Sequence, residues 1–344
     1  MKHLLDSAST LPDFSRALTE LADVVLDQTA RDCQAKLSHI HGTPRLAGGG
    51  SCPFAVFGMG KFGGWELGYA SDIEVLFVYG GGGRTTGRKP LDNSEYFERL
   101  VQEILQWVEA REEGIFHLDV RLRPHGGKGL LANTLEELRT YYSAAGLSAP
   151  FERQALIKLR FVAGDDALGH QVETHRDAFV YSGQPWDLPT ALDLRRRQVK
   201  ELVEPGRTNV KYSSGGLIDI EYAVQYLQLM HGHNAPRLRT PNTLEAIASL
   251  GQGGELKPDE MIALREAYLF LRGLIDALRI VRGNARDLVL PPDDSDTFIF
   301  LSRRLGYTAE RWEEGAARLA ADITRHMAWA QQFFANRFGA VTQD

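Results

Sequence analysis

Asp72 and Glu74 stand one residue apart at the head of an apolar run from Ile73 to Tyr79. Just before them lies GMGKFGGWELGYAS, with glycines and Lys61 at the close spacing of a phosphate loop but without the Ser or Thr that such a loop needs after its lysine. If the apolar run is a strand, side chains 72 and 74 project to one face, because the side-chain period is two. Two carboxylates so placed repel each other unless a cation lies between them. Mg²⁺ is the natural occupant, since it takes hard oxygen ligands and bridges carboxylates to nucleotide phosphates. Gly63 and Gly64, lacking Cβ atoms, can bring backbone N–H groups close to a triphosphate. The plainer alternative is that one acid caps the loop and the other faces solvent.

A third acid, Asp119, sits inside FHLDVRLRP. An acid within an apolar strand calls for a partner or a metal. Arg121 follows on the same face and Arg123 two residues later, giving fixed positive charge suited to phosphate oxygens, or to simple pairing with the acids. Further on, KYSSGG leads from Lys211 into LIDIE, a turn opening a helix with Asp219 and Glu221 in its first turn, where they complement the helix dipole. The glycine start of that helix, with Lys211, is a second candidate for binding nucleotide. His231 and His233 have no nearby Cys or acid pair to complete a metal shell, and read as a solvated helix end.

These residues need a scaffold. Apolar residues recur at helical spacing between Phe14 and Leu37, including Leu18, Leu21, Val24, Val25 and Leu26. Strands are expected from Phe54 to Phe57, from Ile73 to Tyr79 and from Phe116 to Arg121, with a helix from Ser94 to Glu109 between the last two. GGGGRTTGRKP reads as a surface loop. That is a small mixed sheet with helices on it. Beyond about residue 165 the pattern turns helical over 172–181, 190–204, 217–230, 259–282 and 309–337, with a core stripe at Leu264, Ala267, Tyr268, Leu271 and Leu274. The expected class is α+β: a helical lead-in over 1–45, a mixed-sheet domain over 46–165 and an all-α bundle over 166–344.

The 344 residues carry 39 basic and 45 acidic side chains, a net charge of −6, which argues against broad binding to nucleic acid. Cys33 and Cys52 form neither a disulfide framework nor a zinc motif. No apolar stretch is long enough to span a membrane, and Asp6 and Asp13 interrupt what would be the apolar core of a signal peptide. A cytoplasmic protein of about two domains is expected.

The spacing Phe62-Gly63-Gly64, seven residues, then Asp72-Ile73-Glu74-Val75 is similar to the signature of the polymerase-β-like nucleotidyltransferases, with Asp119 as the later acid. The stretches GMGKFGGWELGYASDIEVLFVY, LDVRLRPHGGKGLLANTLEELRTYY, FERQALIKLRFVAGD and VKYSSGGLIDIEYAVQYLQL, in that order, together resemble the glutamine synthetase adenylyltransferase family. The resemblance implies transfer of AMP from ATP to a tyrosine of glutamine synthetase, or its removal by phosphorolysis, with Mg²⁺ held by Asp72, Glu74 and Asp119. It implies that Gly63, Gly64, Ser71, Lys61, Arg121 and Arg123 attend the triphosphate, and that Lys211 helps bind nucleotide or the target's modified loop. Glutamine synthetase is the implied partner, with the nitrogen-regulatory PII protein a further one. Members of the family carry two such modules, whereas one is present here, and Glu74 stands where Asp is more usual. GYASD and GLIDIEYAVQYLQL lean toward the adenylylating half, GMGK toward the adenylyl-removing half. The alternatives are a PII-type uridylyltransferase and a catalytically silent regulatory binding module.

Overall fold

The computed structural model describes residues 10–108 and 117–340. Glu109 and Phe116, at the ends of an expected helix and strand, and Asp6 lie outside the described residues. The chain divides into two compact units, Met1–Leu67 with Ser71–Ser182 and Arg239–Asn242, and Gly68–Ala70 with Gly183–Leu238 and Thr243–Asp344.

The first unit opens with α1 (Leu11–His41), started by a capping box in which Thr10 and Asp13 satisfy each other's backbone amides. Its buried stripe is made of small residues, Ala22, Ala30 and Cys33 with Leu26 and Leu37, whereas Leu21, Val24 and Val25 are exposed. The apolar spacing seen in the sequence thus marks the helix correctly and its inner face only in part, at Leu18, Leu26 and Leu37. Ala22, Ala30 and Cys33 let α1 lie close to its neighbours at those positions, and Leu26 and Leu37 fill the space between them.

There follow β1 (Pro44–Leu46), β2 (Phe54–Gly58), the single turn α2 (Gly60–Gly63), β3 (Ile73–Tyr79), β4 (Gly83–Thr85), α3 (Asn93–Val108) and β5 (Leu118–Asp119). Then come β6 (Ala132–Thr134), α4 (Leu135–Tyr141), α5 (Pro150–Ala155), β7 (Arg160–Gly164) and α6 (Asp166–Val180). The main sheet runs β5-β3-β2-β7, with β6 also on β3, while β1 and β4 form a separate ribbon. β2 is antiparallel to both β3 and β7; β5 and β6 run parallel to β3. Ile73, Val75, Phe77 and Tyr79 point into a core shared with α1 and α3, where Phe97 stacks on Phe54 and Tyr79 at 5.4 and 4.5 Å. Each such buried ring contributes about 1.5–3 kcal/mol. The alternate residues of β3 belong to the opposite face, on which Glu74 lies.

The second unit is helical: α7 (Leu188–Leu202), α8 (Leu217–His231), α9 (Thr243–Gly253), α10 (Pro258–Arg282), α11 (Asp296–Arg304) and α12 (Trp312–Phe338). Leu264, Ala267, Tyr268, Leu271 and Leu274 of α10 are all buried in its core, as their spacing indicates. Among the described residues no helix is long and apolar enough to cross a membrane.

Asp219 corrects an expectation. Instead of merely complementing the dipole of α8, it is buried against Arg195 of α7, Nε to Oδ1 2.7 Å, with side chains 0% and 2% exposed. Its other oxygen accepts the Gly215 N–H at 2.6 Å, and Arg195 also donates to the carbonyls of Tyr212 and Ser213. Gly215 has φ +78°, a conformation suited to glycine, so one ion pair ties α7 to the turn that starts α8.

Replacing Arg195 by Met leaves Asp219 buried without its counter-charge and is expected to cost about 3–5 kcal/mol in urea unfolding, while the double variant Arg195→Met/Asp219→Leu recovers part of that. A single variant as stable as the parent would remove this role.

A second expectation concerns pH. Burial beside Phe270, whose ring stacks on His326 at 4.4 Å, holds the His326 imidazole below its usual value. A depressed value in the folded state means that this stability is complete above the unfolded histidine value and is lost as pH falls through the folded one. Between about pH 7.5 and pH 5, His326→Phe is therefore expected to lose less melting temperature than the parent. Parallel losses would exclude the assignment.

Candidate active site

The parallel register of β3 and β5 sets Glu74 directly beside Asp119, and Ile73 beside Leu118. Ile73 N–H donates to the His117 carbonyl at 2.9 Å, fixing the start of that pairing. Asp72 precedes β3, with one carboxylate oxygen 3.5 Å from His117 Nδ1. The end of the sheet thus gathers all three acids singled out in the sequence.

Asp119 is the buried member. Its carboxylate accepts from Arg121 through the backbone N–H at 2.9 Å, Nε at 3.0 Å and Nη2 at 2.6 Å. Burial pushes the Asp119 carboxyl up, but the hydrogen bonds and charge of Arg121 outweigh it and hold the group below the usual carboxylate range. The Arg121 guanidinium is raised first by Asp119 and further by Asp72 and Glu74, so one cation feels all three acids. Its side chain is 78% exposed, leaving its outer edge open to an anion.

Arg123 turns away from that role. It is buried and donates to the carbonyls of Val120, Gly127 and Gly129, closing the loop that follows β5. His125, within that loop, has φ +62°, a costly conformation for a non-glycine residue.

The glycine stretch is a packing device. Gly63 N–H donates to the Met59 carbonyl at 2.8 Å and Gly64 N–H to Gly60 at 3.1 Å, so both amides are used inside α2. A side chain on Gly63 would collide with the Lys158 carbonyl, and one on Gly60 with the Glu74 carboxylate. Gly60 also has φ +49°. At 63 the fixed main chain admits only glycine, and at 60 the positive φ strains any other residue, which would also have to push the Glu74 carboxylate aside. Lys61 lies on α2 and Ser71 immediately precedes Asp72, both partly exposed, while Lys211 belongs to the second unit with its ammonium 4.9 Å from the Tyr212 ring. His231 ends α8 and His233 follows it.

Behind α2 lies a support that residue spacing did not reveal. Buried Lys158 pairs with buried Glu66 at 2.8 Å. Arg160 pairs with Asp23 of α1 at 2.8 Å, lies 4.2 Å from the Trp65 ring, and donates to the carbonyls of Phe62 and Gly63. Asn242 donates to the Gly64 carbonyl at 2.8 Å. The signal for Lys158 and Arg160 was FERQALIKLRFVAGD, where two cations interrupt apolar residues.

Among the described residues no group of three His, Cys, Asp or Glu side chains is close enough to bind a metal on protein atoms alone. The donor chemistry nonetheless fits Mg²⁺, which is commonly held by one or two carboxylates together with substrate phosphates. Asp72 and Glu74 would be such a pair beside Asp119.

The fold is that of an α+β nucleotidyltransferase domain, a small mixed sheet with helices on it, followed by a helical unit. The family model of Glutamate-ammonia ligase adenylyltransferase matches residues 3–175, and the chain belongs to that family. A second model, GlnD PII-uridylyltransferase, matches residues 191–338. A relative in Stenotrophomonas maltophilia, named bifunctional glutamine synthetase adenylyltransferase/adenylyl-removing enzyme, is 35% identical over 95% of this chain and 35% of its own length. Relatives of the same name in Thioalkalivibrio sulfidiphilus and Bordetella pertussis are 33% and 32% identical, over 94% and 97% of this chain and 33% and 36% of their own. The chain spans about a third of the length of these relatives.

Gly60→Ala sets a methyl group against the Glu74 carboxylate at a positive φ and is expected to cost about 1–2 kcal/mol in urea unfolding. A Gly60→Ala protein as stable as the parent would show that the turn does not need glycine there.

Proposed function

We propose that this chain is a nucleotidyltransferase module that moves AMP from ATP to a tyrosine of glutamine synthetase, or removes it by phosphorolysis, and so regulates nitrogen assimilation. The observation that carries the reading is the β3–β5 register, which puts Asp72, Glu74, Asp119 and Arg121 at one sheet end. Support comes from the family match and from relatives named for both activities. The first unit carries the transfer chemistry, and the helical unit, with Lys211, assists in binding nucleotide or target. The cytoplasm, where ATP is abundant, is the proposed location, in keeping with two unpaired cysteines.

Asp72 and Glu74, with Asp119, would hold Mg²⁺, which when bound supplies charge neutralisation at the phosphates. The chain's own groups do the rest. The tyrosine oxygen forms a bond to the α-phosphorus of ATP as the bond to pyrophosphate breaks. Asp119, kept ionised by Arg121, receives the phenolic proton. Arg121 turns its exposed edge to the phosphate oxygens, and Lys61 of the glycine turn and Ser71, just before Asp72, contribute as well. Gly60, Gly63 and Gly64 let that turn approach without side-chain interference. In reverse, an oxygen of inorganic phosphate bonds to the adenylyl phosphorus as the bond to the tyrosine oxygen breaks, giving ADP and a tyrosine whose oxygen takes up a proton.

A second reading has its own support, because the helical unit matches the PII-uridylyltransferase model over residues 191–338. It predicts UTP rather than ATP as donor, and PII as target or regulator.

The test is to mix the protein and Mg²⁺ with unmodified or adenylylated glutamine synthetase, giving ATP or phosphate, and to weigh the subunit by mass spectrometry. A gain or loss of AMP is expected, falling by about a hundredfold or more in Asp72→Asn and Asp119→Asn. Unchanged transfer in both variants would sink the proposed site, and uridylylation of PII with UTP would favour the second reading.

A further inference from the structure

A cavity of about 350 Å³ opens in the first unit beside the carboxylates. Arg121 belongs to both places, lining the cavity while its guanidinium holds Asp119. The walls are apolar and aromatic: Met59, Tyr141, Tyr142, Phe151, Ala155 and Leu156. Phe151 is 47% exposed, so one aromatic wall already faces solvent.

The polar groups around this cavity are largely committed to one another. Glu152 accepts from the Tyr141 hydroxyl at 2.9 Å and from the Ala149 N–H at 3.1 Å. The His125 ring packs edge-on against Tyr141 at 4.6 Å. Arg123 spends its guanidinium on three loop carbonyls. A purine placed here would find little to read its hydrogen-bonding edge, and would bury that edge at a cost. An apolar side chain would bury its surface and leave nothing unpaired. Lys128 of the adjoining turn, an exposed cation that the carboxylates do not engage, favours an acidic stretch of chain around the cavity.

The geometry points to this cavity as the subsite that takes a large apolar side chain of the polypeptide acceptor, close to the hydroxyl being modified, from an acidic stretch of chain. The inference rests on the proposed transfer to a tyrosine of glutamine synthetase and adds what holds that segment in place. Binding one bulky side chain beside the target lets a flexible loop present its hydroxyl with little loss of orientation.

Two variants test it. Ala155→Trp fills the cavity, and Phe151→Ser removes its exposed wall; neither residue belongs to the carboxylate site. Thermal unfolding confirms that each is folded. With glutamine synthetase as acceptor, both are expected to raise the KM for the acceptor by about tenfold while the KM for ATP stays at the parent value. An unchanged acceptor KM overturns the subsite, and so does a rise in the ATP KM alone, which would give the cavity to the nucleotide. If the parent transfers no AMP, the functional reading fails, and the subsite is judged by direct binding of glutamine synthetase without turnover. Weaker binding by both variants than by the parent then supports the subsite, whereas equal binding, or none by the parent, overturns it.

Discussion

The short parallel pairing of β5 with β3 is the constraint on which the rest of the first unit depends. Two residue pairs set it, Ile73 with Leu118 and Glu74 with Asp119. Ile73 and Leu118 lie on the core side and fix the register through burial. Because side chains alternate, that same register leaves the acids together on the other face. A slip of β5 by one residue would turn Asp119 to the core side and Leu118 to the acid face, so hydrophobic packing enforces the electrostatic arrangement.

Like charges gathered in this way raise the free energy of the folded chain unless something opposes them. Arg121 does so from the middle of the cluster, bound closely to Asp119 and more loosely influenced by Asp72 and Glu74. Its exposure makes it an adjustable counter-ion, unlike Arg123, which is fixed among carbonyls, or Arg160, which is fixed between Asp23 and Trp65. Three arginines of the same unit thus serve three ends: balancing charge, closing a loop and bracing a turn.

Much of this was legible in the sequence because it follows from periodicity. The strand after Asp72, the core stripe of α10 and the α+β class all come from apolar spacing, and the three acids stand out against apolar neighbours. Other features depend on distances that spacing does not encode. Gly63 and Gly64 look like amide donors for phosphate, yet their N–H groups are used within α2, and the demand for glycine at 63 comes from a carbonyl far along the chain. Arg123 reads as a phosphate ligand because it alternates with Asp119 and Arg121, but the loop after β5 folds back and takes its guanidinium. The inner face of α1 was partly hidden for a similar reason, since alanine and cysteine occupy it beside Leu26 and Leu37 while Leu21, Val24 and Val25 face outward. Asp219 looked like a dipole partner because its ion-pair partner, Arg195, lies on a different helix.

The contact between Gly63 and the Lys158 carbonyl bears on how natural variation in this chain is to be interpreted. Residues 158–160 lie remote from the acids in sequence, and they influence the glycine turn through main-chain fit and buried charge. A change there perturbs the turn without removing any proposed ligand. Loss-of-function alleles from this stretch will therefore imitate active-site lesions in a phenotype screen, and abundance measurements, not proximity on a sequence map, are what separate the two kinds.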